Sequence, residues 1–478
     1  MDSIVGMGAL ALRAAIRARR VSCAELMSAA LDQIARLNPA VNAIVALRER
    51  DELLAEARER DAELARGLDR GALHGFPQAI KDLEPVAGMP TSLGFAPLRE
   101  FRPAADGIMV ERMRRAGAIF VGRTNTPEFG LGSHTFNRVH GTTRNAYDPT
   151  RSAGGSSGGA AVALALRMLP VADGSDYGGS LRNPAGWNNV FALRPSIGRV
   201  PSNTRDAWLP SMGVLGPMAR SVPDLALLLG VQAGYDARAP LSLDGELGLA
   251  ALDLARDFSG ARIAWSGDWG GALPFEPGVL ETCRTALRAF EGLGCRVETA
   301  NPEFPIDAVW RAWLVLRAWQ AGTALKDVYD NPALRPQMKP EARFEVEQGA
   351  KLSAYDVSAA SAVRSQWSEA VRAFFERHDF WILPTAQLFP FDAALDWPRE
   401  IAGRRMETYH EWMKVVLPVT MSGCPALAAP AGFGPEGLPI GIQIVGPNRA
   451  ERACLELAHA YDQRTNWVET RPPALLAR

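Results

Sequence analysis

Cysteine is scarce in this sequence: Cys23, Cys283, Cys295, Cys424 and Cys454 are scattered, and no two stand at CxxC spacing. That spacing argues against a disulfide framework and a thiolate zinc centre, and it suits a reducing compartment. An excess of charge of one sign is also lacking, since 52 basic and 53 acidic residues leave a net charge of -1 over 478 residues. The arginines are interleaved with carboxylates, as in Arg48-Glu49-Arg50 and Arg58-Glu59-Arg60-Asp61, so no broad field would gather a polyanion. Long apolar runs are missing too. The most apolar stretches, such as 160–166 and 225–230, fall far short of the ~20 residues that span a bilayer. Residues 1–8 carry neither a basic stretch nor an apolar core, so they do not read as a signal peptide. The expectation is a cytoplasmic protein with no nucleic-acid or membrane partner, compatible with a homodimer.

With 47% hydrophobic and 22% charged residues, the chain has the balance of a globular protein. Length alone suggests about two to four domains, but large α/β enzymes can run long as one unit. Residues 1–70 read as a helical region packed on the core. Ser22 with Glu25 forms a capping-box pattern, after which Leu26, Ala30, Ile34 and Leu37 recur on one face. A second helix is predicted over 43–68, with its alternating charges toward water. From residue 71 to 478 short apolar strands alternate with helices, which predicts an α/β fold: a large mixed sheet covered by helices on both faces. The stretch 300–420 is helical and holds seven of the twelve tryptophans: Trp310, Trp313, Trp319, Trp367, Trp381, Trp397 and Trp412. They either pack long helices onto the sheet or line, in part, a bulky apolar pocket.

Several chemistries lack their residues. There is no HExxH and no GxxxxGK[ST]. The run Gly154-Gly155-Ser156-Ser157-Gly158 matches GxSxG, yet a nucleophile elbow needs a strand entering the serine, and 149–153 is a poor strand. His134 and His140 have no nearby carboxylate or cysteine to complete a usual metal set, so no metal site is expected. Two glycine-rich clusters remain. In Gly154-Gly155-Ser156-Ser157-Gly158-Gly159, four glycines leave a helix start unobstructed. In Gly174-Ser175-Asp176-Tyr177-Gly178-Gly179-Ser180-Leu181-Arg182, Ser180 follows two glycines, where unhindered backbone N–H groups could hold an oxyanion. A plain glycine turn explains either cluster as well. A serine needs a base, and Lys81, ending the apolar piece Ala79-Ile80-Lys81-Asp82, could lose its proton if desolvated.

Taken together, these motifs resemble the amidase signature family, whose hallmark is a Ser–cis-Ser–Lys triad. Its lysine matches Lys81 after Leu73-His74-Gly75-Phe76-Pro77, its bridging serine, preceded by a non-proline cis peptide, matches Ser156, and its nucleophile matches Ser180. The intervals of 75 and 24 residues are similar to the family's. Gly122-Arg123-Thr124-Asn125 with Glu128-Phe129, and Gly423, Pro425, Pro430, Gly437, Pro439, Gly441, Gln443 and Gly446 near the end, extend the likeness. It covers about 70–230 strongly and 420–450 clearly, with 240–420 weakest.

The resemblance implies that Lys81 is the base, Ser156 the relay and Ser180 the nucleophile of a serine amide hydrolase without a cofactor. It further implies an oxyanion hole from the N–H groups of Tyr177, Gly178, Gly179 and Ser180. A side esterase activity would follow from the same acyl-enzyme. Tyr177 stands where many relatives carry Thr, Gln or an aliphatic residue, and Trp187-Asn188-Asn189 replaces a small run, which bears on substrate choice. The expected pocket draws on Phe129, Gly130, Leu131, Tyr177, Trp187, Trp208 and Trp412, and the expected substrate is a small amide with an apolar or aromatic group. Two rivals stay open: a glutamine-hydrolysing amidotransferase subunit that needs partners, and a non-catalytic binding protein of the same fold.

Overall fold

Eight strands form one mixed sheet in the computed structural model, which describes residues 4–204, 206–209, 211–244, 247 and 253–477. The composition of 237–248 reads as a loop, and part of that stretch, like the first three residues, lies outside the described residues.

The chain opens with helices α1 (Ala9–Arg17) and α2 (Cys23–Val41). The capping box read from the sequence starts α2: Ser22 Oγ accepts the Glu25 N–H at 3.1 Å, and Glu25 accepts the Ser22 N–H at 2.8 Å. The second helix, expected over 43–68, is shorter. Asn42 closes α2 in the left-handed region, and Asn38 Oδ1 takes the N–H groups of Ala43 and Ile44, both at 2.8 Å. Those bonds turn the chain into strand β1 (Ile44–Val45), and helix α3 begins only afterwards (Arg50–Ala65). Strands β2 (Pro77–Lys81) and β3 (Ile119–Thr124) pair in parallel and β1 joins β3 antiparallel, making a small three-stranded sheet. Helix α4 (Ile108–Arg115) lies between β2 and β3 in sequence.

The large sheet is built from β4 (Val171–Asp176), β5 (Phe191–Arg194), β6 (Val214–Ala219), β7 (Arg262–Trp265), β8 (Arg296–Thr299), β9 (Phe380–Pro384), β10 (Ala426–Phe433) and β11 (Pro439–Val445). Their order across the sheet is β8-β7-β9-β11-β10-β5-β6-β4. The β7 pairings with β8 and β9 are parallel, and the rest are antiparallel. Strands β5, β6, β9 and β11 are buried along their whole length, so they show no alternation of apolar and polar residues.

Flanking helices include α5 (Gly158–Ala165), α6 (Arg182–Trp187), α7 (Val222–Gln232), α8 (Val279–Gly292), α9 (Ile306–Asp330), α10 (Pro340–Gly349), α11 (Ala354–Arg377), α12 (Leu417–Ser422) and α13 (Glu451–Thr465). One continuous apolar core joins α1 and α2 to the sheet and to these helices except α10, whose Ala342 and Val346 pack with Phe95, Leu131, Leu325 and Met338 in a second, smaller cluster. No described helix is long and apolar enough to cross a membrane. In the tryptophan-rich stretch the packing role is plain: Trp367 donates to the Pro418 carbonyl at 2.9 Å and Trp381 to Ser266 Oγ at 2.6 Å, both fully buried.

Candidate active site

The strand β2 ends on Lys81, whose residue is completely buried. Its Nζ lies 2.8 Å from Ser156 Oγ, 2.8 Å from Ser157 Oγ and 2.9 Å from Ser175 Oγ. Burial pushes the ammonium down to about 7, against the opposing pull of the Asp173, Glu84 and Asp176 carboxylates. Asp173 and Ser175 alternate along β4, so both face Lys81. Asp173 accepts the Lys81 backbone N–H at 3.2 Å, and burial raises its carboxyl to about 6.

Ser156 and Ser157 lie on the first glycine cluster, at the N-terminal end of α5. The Gly155–Ser156 peptide is cis. Closeness dictates the glycines that follow: a Cβ at Gly159 would sit 2.4 Å from the Asn125 nitrogen and 2.5 Å from the Ala43 carbonyl oxygen. The strand that a nucleophile elbow would need is absent before Ser156, where only isolated bridges at Arg151 and Ser152 occur. The second cluster meets the first through the Ser157 N–H, which donates to the Ser180 carbonyl at 3.1 Å. Ser180 itself is 8% exposed.

A buried carboxylate shapes the Ser180 loop. Asp176 accepts the Gly179 N–H at 2.9 Å and the Leu181 N–H at 3.1 Å, and it is clamped by Arg182 at 3.0 Å and Arg194 at 3.1 Å. Arg182 ties the loop onward to the Val416 carbonyl at 2.9 Å and Thr420 Oγ1 at 2.8 Å. The paired arginines hold the Asp176 carboxyl far below the usual carboxylate range, despite its burial. Gly179 adopts φ +95, and a Cβ there would lie 2.1 Å from Asn183 Oδ1. Its N–H donates to the Asp176 carboxylate, so of the four N–H groups expected to form the oxyanion hole this one already has a partner. Among the described residues, the N–H groups of Tyr177, Gly178 and Ser180 are left without such a partner. Replacing Asp176 with alanine strands two buried guanidiniums, so we expect a loss of about 3–5 kcal/mol of stability, read as a lower midpoint in urea unfolding. An unchanged midpoint would contradict the clamp.

The remaining pocket residues divide. A Cβ placed on Gly130 would lie 3.6 Å from Ser156 Oγ, so this segment faces the site. Phe129, before it, packs on Phe95 with ring centroids 4.9 Å apart. Leu131 is buried and borders a narrow slot shared with Trp412. The Tyr177 hydroxyl donates to Gln320 at 2.6 Å, and Arg317 lies 4.6 Å above its ring. Two expectations are corrected. Trp187 belongs to the core: it is fully buried, donates to the Leu388 carbonyl at 3.0 Å and stacks on Trp412. Trp208 is 67% exposed, because Asp206 accepts the N–H groups of Trp208 and Leu209 in a turn that presents both side chains to solvent. Sequence reasoning counted Trp313 only among the tryptophans that pack helices or line a pocket and did not single it out, yet its Cζ2 would be 3.5 Å from a Cβ on Gly178 beside the Ser180 loop. Sequence reasoning overlooked Ser157, Ser175 and Lys339. For the two serines a signal existed in their adjacency to Ser156 and Asp176, but hydroxyls are common in glycine turns.

The chain matches the Amidase family over residues 25–455. It is 32% identical over 470 residues to an acylamidase of Rhodococcus erythropolis, covering 98% of this chain and 97% of that protein. It is 34% identical over 472 residues to a glutamyl-tRNA(Gln) amidotransferase subunit of Thermosynechococcus vestitus, covering 94% and 96%. The solved structure of a bacterial aryl acylamidase of the amidase signature family superposes with a TM-score of 0.90 at 28% identity, covering 97% of each chain. Fold and matches together define a hydrolase that acts on amide carbon–nitrogen bonds. The chain belongs to the amidase family, that of the amidase signature enzymes.

Proposed function

We propose that Ser180 is the nucleophile of an amide hydrolase in which Lys81 is the base and Ser156 carries the proton between them. The observation that supports this reading most is the buried Lys81, with Nζ 2.8 Å from Ser156 Oγ on a loop bonded to that of Ser180. Neutral Lys81 takes the Ser156 hydroxyl proton, and Ser156 takes that of Ser180 as Ser180 Oγ bonds to the amide carbonyl carbon. The N–H groups of Tyr177, Gly178 and Ser180 hold the oxyanion. The relayed proton passes to the leaving nitrogen as the carbon–nitrogen bond breaks. Water then cleaves the ester, releasing the acid and restoring Ser180. Esters would enter the same path.

For the substrate, an amide with an apolar or aromatic portion is the reading that the surroundings favour. Trp313 and Leu417 close on Gly178, while Tyr177 presents a ring beside the same loop. The likeness to the amidotransferase protein supports a second reading, glutamine hydrolysis with partner proteins. A kinetic screen of the isolated chain against acetamide, benzamide, an acyl anilide, an amino-acid amide and glutamine separates the two. We expect the aryl substrates to be cleaved without any partner. Turnover confined to glutamine, and appearing only when a partner protein is added, would reverse the choice.

A further inference from the structure

A narrow slot lies between the segment 131–136 and the stretch 396–412, bordered by Leu131, Ser133, Lys339, Trp397, Tyr409 and Trp412. It adjoins the candidate catalytic loop. Ser133 Oγ donates to the Gly155 carbonyl at 2.5 Å, and nearby Gly130 faces Ser156. The free volume of about 10 Å³ holds one water-sized group.

Most polar groups along the slot are engaged. His134 has Ser152 Oγ 2.7 Å from Nδ1 and the Ala393 carbonyl 3.2 Å from Nε2, and the Tyr409 hydroxyl donates to Glu345. Two donors remain. Trp412 is 1% exposed, and its indole N–H has no acceptor among the described residues. Lys339 is 6% exposed and gives one ammonium hydrogen to the Leu131 carbonyl at 2.6 Å; the same nitrogen lies 5.4 Å from the Phe136 ring centroid and 4.0 Å from Glu341, contacts that leave it two hydrogens for a hydrogen-bond acceptor. A buried donor without an acceptor carries its full desolvation cost, so the slot is primed for an acceptor.

Charge decides which acceptor. Glu341 stands 4.0 Å from the Lys339 ammonium, and Asp396 adds a second carboxylate at the slot. A carboxylate ligand would meet a surplus of negative charge, whereas a neutral oxygen would not. The rings of Trp397, Tyr409 and Trp412 border the same slot, whose volume admits the oxygen alone and leaves the rest of the substrate outside it.

Resting on the amide-hydrolase reading, we propose that the slot is a specificity subsite for a neutral oxygen, the carbonyl of a ketone or of a second amide, borne on the substrate. The oxygen takes the place that a water would fill in the free enzyme.

The test compares two near-isosteric pairs, 4-acetyl against 4-isopropyl acetanilide and 4-acetyl against 4-isopropyl benzamide. The two pairs place the oxygen on the amine and acyl sides of the scissile bond. For each enzyme the kcat/KM ratio within a pair is measured in wild type, Trp412→Phe and Lys339→Met. Intrinsic electronic effects and the fraction of folded enzyme cancel when ratios are compared. In at least one pair, both variants should lower the preference for the acetyl compound by about fivefold or more. Ratios unchanged in both pairs would mean that the slot holds water alone and would overturn the proposal. The ratio reads the slot whichever residue attacks, while loss of turnover in Ser180→Ala tests the nucleophile separately.

Discussion

Ser180→Ala is expected to lower kcat/KM for any amide substrate by at least about 10⁴-fold, while unfolding midpoint and circular dichroism stay close to those of the wild type. The size of the loss follows from the chemistry, because no acyl-enzyme forms without Oγ and water must attack an unactivated amide. The fold survives because the loop is held by other groups. The Ser180 carbonyl still accepts the Ser157 N–H, and Asp176 still takes the Gly179 and Leu181 N–H groups. The hydroxyl removed is on a residue 8% exposed, and its deletion leaves little void. Retained turnover in this variant would remove Ser180 from the mechanism.

Lys81→Ala should cost about 10²- to 10⁴-fold in amide acylation, the range of a positioned general base. Its pH profile is the sharper mark. Burial brings the Lys81 ammonium from its ordinary range down to about 7, and the neutral form is the one proposed to accept a proton. In the wild type, kcat/KM should therefore fall about tenfold per pH unit below a midpoint near 7 and level off above it. In Lys81→Ala that limb disappears. A wild-type profile in the variant would show that another group is the base. Esters, whose leaving group needs less help from a proton, should lose less than amides.

Much of the candidate site could be proposed from the sequence because its parts are short motifs. Lys81, Ser156 and Ser180 each lie in a glycine-marked run, and their order and spacing together carried the resemblance to the family. Ser157 and Ser175 were not legible, since their hydroxyls reach Lys81 from separate segments and only the fold makes them neighbours. Arg194 joins Asp176 from the next strand for the same reason. Trp187 and Trp208 were misplaced by treating nearness in sequence as nearness in space: one lies at the end of a fully buried helix, the other on an exposed turn. In the fold, amphipathic and capped segments such as α2 could be read directly. Strands β5, β6 and β9, buried throughout, carry no period-two pattern that separates them from a helix segment. Lys339 had no local signal at all, as its slot is assembled from segments some two hundred residues apart.

The central claim is that Ser180, and neither Ser156 nor Ser157, attacks the substrate. Treating the enzyme with a fluorophosphonate and mapping the adduct by peptide mass spectrometry tests it directly. The account predicts one stoichiometric adduct on Ser180, absent from Ser180→Ala and formed far more slowly in Lys81→Ala. An adduct on Ser156 or Ser157 in the wild type, with Ser180 unlabelled, would contradict it.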